Sequence, residues 1–289
     1  MKRRTMLQTL GAGTAFIGFN VQSNLTSQAA PKKGGLKLGL VTYNMAKDWD
    51  VDTIIKNCAA TGFQGVELRT THAHGVEVTL NTSQRSEVKK KFQDSPITLI
   101  GLGSAFDYHT ADQGKLKKDI EATKVYMTLA HDVGASGVKV RPNGFPNEVS
   151  KEKTLEQIGR SLREVGQFGA DIGVQIRVEV HGRETSDPRH MRTMMDIADH
   201  PNVGVCWNSN ANDLDGLGWD ANFDLLKSKI FSVHMRDLYD EEYPYRKLYA
   251  GLNEAGFDGF CMAEIPGSDD PIRVMNYYRG MWKALQNIL

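Results

Sequence analysis

The stretch Arg177-Val178-Glu179-Val180-His181-Gly182 decides how the rest of the chain is interpreted. Polar and apolar residues alternate along it, which is the two-residue period of a β-strand. Its valines share one face, whereas Arg177, Glu179 and His181 share the other, and a glycine ends the run. Three polar side chains on one face of a strand are costly to bury without a role. We therefore expect this face to line a functional site.

Similar short apolar strands recur along the chain and alternate with helical segments. The residue patterns predict eight strands, at 36–45, 65–69, 97–103, 137–141, 174–180, 203–207, 230–235 and 259–264. A helical pattern follows each of them, the longest at 114–133 and 151–172. Eight strand–helix units in one chain predict an α/β fold of the TIM (β/α)8 barrel type. An open doubly wound sheet is the alternative, but it would require a glycine-rich fingerprint after the first strand, where Thr42-Tyr43-Asn44-Met45 stands instead.

The first residues have the features of an export signal. Arg3 and Arg4 precede a mild apolar stretch, and Ser27-Gln28-Ala29 offers a cleavage site between small residues. This order of regions is typical of a twin-arginine (Tat) leader. We therefore predict a signal peptide at residues 1–30, a single catalytic barrel at residues 31–289, and a periplasmic or otherwise exported protein, which cell fractionation would test.

The overall composition narrows the range of partners. The 35 basic and 35 acidic residues cancel, which argues against a nucleic-acid partner because such proteins carry a basic surplus. No apolar run is long enough for a membrane span, and a small-molecule substrate and a homo-oligomer are both compatible with this sequence. The odd number of cysteines, Cys58, Cys206 and Cys261, favours buried free thiols over a disulfide.

Polar residues gather at the carboxyl-terminal ends of the predicted strands, where TIM barrels place their active sites. They are Glu67, Arg69, Lys139, Arg141, Glu179, His181, Asn208, His234, Arg236 and Glu264. Two glutamates, one histidine and an amide from separate strand ends can form one metal shell. Such oxygen-rich ligands suit Mn²⁺ best, with Mg²⁺ or Co²⁺ as alternatives.

The ordered set of motifs resembles the sugar phosphate isomerase/epimerase group of the xylose-isomerase-like TIM-barrel superfamily. The matching segments are Gly65-Val66-Glu67-Leu68, Val178-Glu179-Val180-His181, Gly204-Val205-Cys206-Trp207-Asn208, Val233-His234-Met235-Arg236-Asp237 and Glu264. The resemblance implies a metal bound by Glu179, His234 and Glu264, with Glu179 and Glu264 also catalytic. The group usually has an aspartate on its sixth strand, where this chain has Asn208, so the fourth ligand is a neutral amide.

Further residues near the strand ends are candidates for contact with a substrate. We predict substrate-binding residues at Tyr43, Glu67, Arg69, His72, His74, Arg141, His181, Asn210 and Arg236. Aromatic rings near one barrel mouth favour a carbohydrate, since a flat ring can stack on a sugar face. Lys139 and Arg141 could hold an anionic group, or they could neutralise Glu67 and Glu179.

The sequence therefore predicts a divalent-metal-dependent isomerase or epimerase that removes a proton next to the carbonyl of a free sugar or keto-sugar. The same enolate chemistry allows a lyase or hydrolase that acts on keto-glycosides. A non-catalytic carbohydrate-binding barrel is a further alternative, which Asn208 permits. An endonuclease-IV-like DNA-repair enzyme is another alternative, since that class belongs to the same superfamily. The balanced charge of this chain argues against it.

Overall fold

The structure, a computed structural model, describes residues 35–287. Its eight strands are β1 Lys37–Val41, β2 Gly65–Arg69, β3 Thr98–Gly103, β4 Gly137–Val140, β5 Gln175–Glu179, β6 Val203–Asn208, β7 Ile230–Met235 and β8 Phe260–Ala263. Its helices are α1 Val51–Thr61, α2 Thr82–Gln93, α3 Gln113–Val133, α4 Lys151–Ile172, α5 Pro188–Ala198, α6 Trp219–Leu226, α7 Tyr245–Glu254 and α8 Pro271–Leu285. The strands close in chain order into a parallel barrel, β1 pairing with β8, so the predicted TIM barrel is confirmed.

Local sequence signals set the ends of several helices. Asp50 accepts a hydrogen bond from the backbone of Thr53, and Asp187 accepts one from Arg189, so both act as N-caps. Gly62 and Gly173 follow α1 and α4 with φ of 73°, a left-handed conformation that glycine adopts without steric cost. These stops bring the chain back toward the next strand of the barrel.

The strand ends differ slightly from the predicted ranges. The first strand ends at Val41, because the backbone of Thr42 instead bonds to the carbonyl of Glu67 and then turns. The last strand ends at Ala263, which places Glu264 directly beyond it. The predicted site residues therefore lie near the carboxyl-terminal ends of the strands or in the first residues of the loops that follow.

The lower part of the barrel interior contains a buried arginine. The Arg177 guanidinium donates from Nη1 to the carbonyl oxygen of Ile100 at 3.0 Å and from Nη2 to Oγ of Ser136 at 2.8 Å. A Cβ atom on Gly137 would lie 2.7 Å from the guanidinium carbon, so any larger residue there would displace the guanidinium. Arg177 does face the barrel interior as expected, but it lies one layer below the polar mouth.

The contacts of Arg177 occur where the barrel is least well paired. Strands β3 and β4 share two paired positions, Leu102 with Val138 and Gly103 with Lys139. Ser136 also donates to the carbonyl oxygen of Ile100, at 2.9 Å. Side chains thus supply hydrogen bonds at the β3–β4 seam that the short backbone ladder does not.

The described residues, 35–287, belong to one compact unit. Within the described range, no helix combines the length and the apolarity that a membrane crossing requires. The three cysteines are buried and free. The predicted Tat leader, residues 1–30, lies outside the described residues.

Candidate active site

A small cavity opens at the carboxyl-terminal ends of the strands and has a volume of about 160 Å³. It is lined by Tyr43, Arg69, Lys139, Arg141, Glu179, His181, Asn208, Arg236 and Glu264. Most of these residues come from the set that the sequence places at the strand ends. The cavity lies where TIM barrels carry their active sites.

Glu179 is the best-anchored carboxylate of the cavity. Lys139 donates to its Oε2 at 2.5 Å, and Nδ2 of Asn208 donates to its Oε1 at 3.3 Å. Burial raises the pKa of Glu179, but the Lys139 ammonium and the His234 ring act more strongly together and lower it to about 2. Glu179 is therefore held as an anion at the base of the cavity.

His234 lies between three carboxylates and is completely buried. Its Nδ1 lies 3.7 Å from Oε2 of Glu264 and 3.9 Å from Oε1 of Glu179, two residues of the cavity lining, although His234 itself does not belong to that lining. Its Nε2 lies on the other side, 3.3 Å from Oε1 of Glu67. Burial opposes protonation of His234. The effects of Cys206, Glu67 and Glu264 together outweigh burial and raise the pKa of the ring.

These three side chains fit a divalent metal ion. Glu179, His234 and Glu264 each offer a ligand atom, and the three atoms lie within 4.8 Å of one another. Nδ1 of His234 and Oδ1 of Asn208 are buried without a hydrogen-bond partner among the described residues, as expected of atoms that await a further ligand. The structure thus brings the predicted metal ligands together, and it places Asn208 beside them.

Glu67 occupies a different place from the one its prediction as a substrate-binding residue implies. It is fully buried behind His234, and a Cβ atom on Gly103 would lie 2.9 Å from its Oε1. Burial alone would raise its pKa, but His234, Lys139 and Arg177 together lower it. Glu67 is thus an ionised carboxylate 3.3 Å from the rear nitrogen of His234, the place from which a carboxylate fixes the orientation and tautomer of an imidazole that ligates a metal.

We expect Glu67→Gln to weaken metal binding about 10- to 100-fold, because an amide orients the His234 ring less firmly and removes a negative charge behind it. Titration of metal-depleted protein with Mn²⁺, followed by calorimetry, measures this change. Glu254→Gln, on the exposed end of α7, is the matched control. An unchanged affinity in Glu67→Gln would show that Glu67 does not support the imidazole.

The other predicted substrate-binding residues divide into two groups. Tyr43, Arg69, Arg141, His181 and Arg236 line the cavity. His72, His74 and Asn210 do not belong to that lining, and each makes a contact that supports a cavity loop.

The contacts of this second group are specific. Nε2 of His74 bonds to the carbonyl oxygen of Arg69 at 2.7 Å, and its Nδ1 accepts from the backbone of Val76 at 3.0 Å. Nδ1 of His72 lies 3.0 Å from Oγ1 of Thr42. Nδ2 of Asn210 donates to the carbonyl oxygen of Val180 at 2.7 Å. Both ring nitrogens of His74 are thereby occupied, so this residue shapes the Arg69 loop.

The structure also settles or adds residues that the predicted list of metal and substrate-binding residues leaves out. Lys139, for which the sequence left two roles open, lies in the cavity and pairs with Glu179. A second group lies behind the mouth: Trp207 donates to the Tyr243 hydroxyl at 2.9 Å, and this hydroxyl donates to Oδ2 of Asp213 at 2.7 Å. No spacing in the sequence connects these three residues, and the buried Trp207 packs against Phe223 rather than facing a sugar.

Ionisation of Asp213 should make the stability of the folded protein depend on pH. Burial raises the pKa of Asp213 to about 7 in the folded protein, above its ordinary value of 3.8. The folded protein keeps this proton to a higher pH than the unfolded chain does. The stabilisation that protonated Asp213 gives to the folded state is therefore fully present below pH 3.8 and is lost as pH rises toward 7.

Between pH 5 and pH 7.5 we therefore expect the free energy of unfolding to fall in the wild type and to fall less in Asp213→Asn. The two decreases should differ by about 1–3 kcal/mol. Urea denaturation at both pH values measures the difference, and the amide imitates the protonated acid. Parallel pH profiles for the two proteins would contradict a raised pKa at Asp213.

Together these features define a (β/α)8 barrel with a polar cavity and a Glu–His–Glu metal-binding geometry at its mouth. The chain belongs to the xylose isomerase-like TIM barrel family, whose model matches residues 55–283. No curated protein matches the sequence.

Several solved structures resemble the fold. The IOLI protein with a bound zinc atom is 17% identical with a TM-score of 0.70, over 86% of this chain and 96% of its own. D-psicose 3-epimerase from Clostridium cellulolyticum H10, solved with D-tagatose, is 14% identical with a TM-score of 0.73, over 86% and 99%. The 3-keto-D-glucoside 4-epimerase YcjR from E. coli has the same identity and TM-score, over 86% and 100%. At these identities the likeness establishes the shared barrel.

Proposed function

We propose that this protein is a divalent-metal-dependent sugar isomerase or epimerase that removes a proton next to the carbonyl of a free sugar or keto-sugar. The observation that supports this most strongly is the convergence of Glu179, His234 and Glu264, whose ligand atoms lie within 4.8 Å of one another beside the cavity. The sugar epimerases among its structural neighbours support the same reaction class.

The metal would be held by Glu179, His234 and Glu264, and when bound it would acidify the hydrogen next to a chelated carbonyl. Mn²⁺ is the ion that we propose for these ligands, with Mg²⁺ or Co²⁺ as alternatives. Asn208 brings an amide oxygen in place of a charge, so the ligand set carries two carboxylates.

Glu264 is the carboxylate placed to take the proton from the substrate carbon. Its side chain is 13% exposed and faces the cavity, whereas Glu179 is fixed by Lys139 and Asn208. The electron pair of the broken C–H bond moves onto the carbonyl oxygen and leaves an enolate.

Glu179 lies on the other side of the cavity, since β5 and β8 are three strands apart around the barrel. In this proposal the Lys139 ammonium, which donates to Oε2 of Glu179, passes a proton by way of that carboxylate to the enolate carbon from that side. Solvent then reprotonates the lysine, and the proton taken up by Glu264 leaves to solvent. Return to the same carbon from the opposite face gives an epimer, and return to the neighbouring carbon gives an isomer.

NMR analysis of products formed in heavy water tests the proposal. The purified protein, supplied with Mn²⁺, should introduce deuterium next to the carbonyl of at least one member of a keto-sugar panel. Release of an alcohol from a keto-glycoside would instead identify a lyase or hydrolase. Sugar binding with no exchange and no cleavage would identify a non-catalytic carbohydrate-binding barrel and contradict the proposed reaction.

A further inference from the structure

The cavity lining carries more positive charge than its catalytic carboxylates can balance. It contains four cationic side chains, Arg69, Lys139, Arg141 and Arg236, and two carboxylates, Glu179 and Glu264. The lining therefore has an excess of two positive charges, and a divalent ion would increase it further.

The lysine and the arginines have different roles in this balance. Lys139 is completely paired with Glu179 through a contact of 2.5 Å between buried atoms. Arg69, Arg141 and Arg236, in contrast, form no salt bridge with any carboxylate in residues 35–287. Three guanidinium groups at one small cavity thus lack an anionic partner within the described chain.

Each of these arginines is anchored by neutral groups of the protein, through its backbone or its side chain. The Arg69 backbone accepts from His74 and donates to Oγ1 of Thr42 at 2.9 Å, and its guanidinium lies 4.9 Å from the centre of the Tyr43 ring. The Arg69 backbone is therefore fixed, and its guanidinium rests on the Tyr43 ring.

Arg236 and Arg141 are held in comparable ways. The hydroxyls of Tyr245 and Tyr278 bond to the backbone N–H and carbonyl of Arg236, and its Nε donates to the carbonyl oxygen of Ser209 at 3.0 Å. The Arg141 backbone donates to the carbonyl of Phe106, while its buried Nε has no hydrogen-bond partner among the described residues. A buried N–H without a partner is costly, so Arg141 is prepared for an acceptor from a ligand.

We propose that the substrate is an acidic monosaccharide, whose carboxylate or phosphate monoester group is bound by Arg69, Arg141 and Arg236. Guanidinium groups match both anions through paired hydrogen bonds. The cavity volume of about 160 Å³ is below the roughly 300–1,000 Å³ of sites for larger ligands, which favours a single sugar unit. This inference rests on the proposed function, because it concerns the sugar that the same cavity binds.

Three sugars that differ at one carbon test the inference: D-fructose, D-fructuronate and D-fructose 6-phosphate. Calorimetry with the Mn²⁺-loaded protein measures the dissociation constant of each. A charge-assisted contact contributes about 10- to 100-fold in affinity, so we expect at least one acidic sugar to bind 30-fold or more tightly than fructose. Preference for fructuronate or for the phosphate then distinguishes the two anions.

Arginine variants connect this preference to the cavity. We expect Arg141→Gln and Arg236→Gln each to weaken binding of the preferred acidic sugar about 10-fold, with less than a threefold effect on fructose. Arg160→Gln, an exposed arginine on α4, should change neither constant. Equal affinity for all three sugars, or an acid preference that survives in both cavity variants, would overturn the proposal.

Deuterium exchange in the same samples separates this inference from the proposed function. Exchange on fructose without any preference for an acidic sugar would overturn the anion site and leave the proposed reaction intact. Tight, arginine-dependent binding of an acidic sugar without exchange would support the anion site and contradict the reaction.

Discussion

Replacing Glu264 by Gln is expected to abolish the exchange of solvent deuterium into the substrate. The Glu264 carboxylate faces the cavity, with its Oε2 3.7 Å from the imidazole of His234, and an amide retains its size and a ligand oxygen but cannot accept the proton. The loss of a positioned general base lowers the rate about 10²- to 10⁴-fold. Proton NMR in heavy water measures the exchange rate, and calorimetry shows whether the sugar still binds.

The Glu179→Gln variant should lose exchange to a similar degree, but it should differ in stability. Lys139 donates to Glu179 at 2.5 Å, so this variant leaves a buried ammonium without its counter-charge, whereas Glu264→Gln leaves none. Glu254→Gln on α7 should exchange at the wild-type rate. Near wild-type turnover in both Glu179→Gln and Glu264→Gln would refute a mechanism based on two carboxylates.

Replacing Lys139 by Met is expected to lower the free energy of unfolding by about 3–5 kcal/mol, the usual cost of removing one partner from a buried ion pair. The lysine and glutamate side chains are only 2% and 5% exposed, so water shields neither charge well when its partner is removed. Urea denaturation in the presence of a chelator measures this loss without a contribution from metal binding.

Two further variants control for this effect. In Lys139→Met combined with Glu179→Gln, both charges are absent, and we expect part of the lost stability to return. Lys56→Met removes an exposed lysine from α1 and should change stability by less than about 0.5 kcal/mol. If Lys139→Met were as stable as Lys56→Met, the buried pair would not contribute to stability.

The barrel could be predicted from the sequence because its signals are local. The alternation around Val178 and the helix stops at Gly62 and Gly173 each depend on a few neighbouring residues, and the structure has elements at those positions. The strand ends are harder to predict, because they depend on contacts between strands. At the end of β1, for example, the backbone N–H of Thr42 donates to the carbonyl oxygen of Glu67 in β2.

The roles within the mouth depend on side-chain packing that periodicity does not encode. The alternation places Glu67 and Glu179 on the inner face alike, yet one lies behind His234 and the other beside the cavity. Likewise, two roles for Lys139 and Arg141 remained open in the sequence. The structure assigns the neutralising role to Lys139 and leaves Arg141 without a carboxylate partner in the described chain.

The buried Arg177 has a consequence for local opening of the barrel. Its guanidinium links β5 to the carbonyl of Ile100 in β3, across the short β3–β4 ladder. To separate β3 from β4, the hydrogen bonds that Arg177 of β5 makes to Ile100 and Ser136 must also break. Amide hydrogens of β3, β4 and β5 should therefore exchange with solvent as one cooperative unit, and the least paired seam of the barrel should be as well protected as its neighbours.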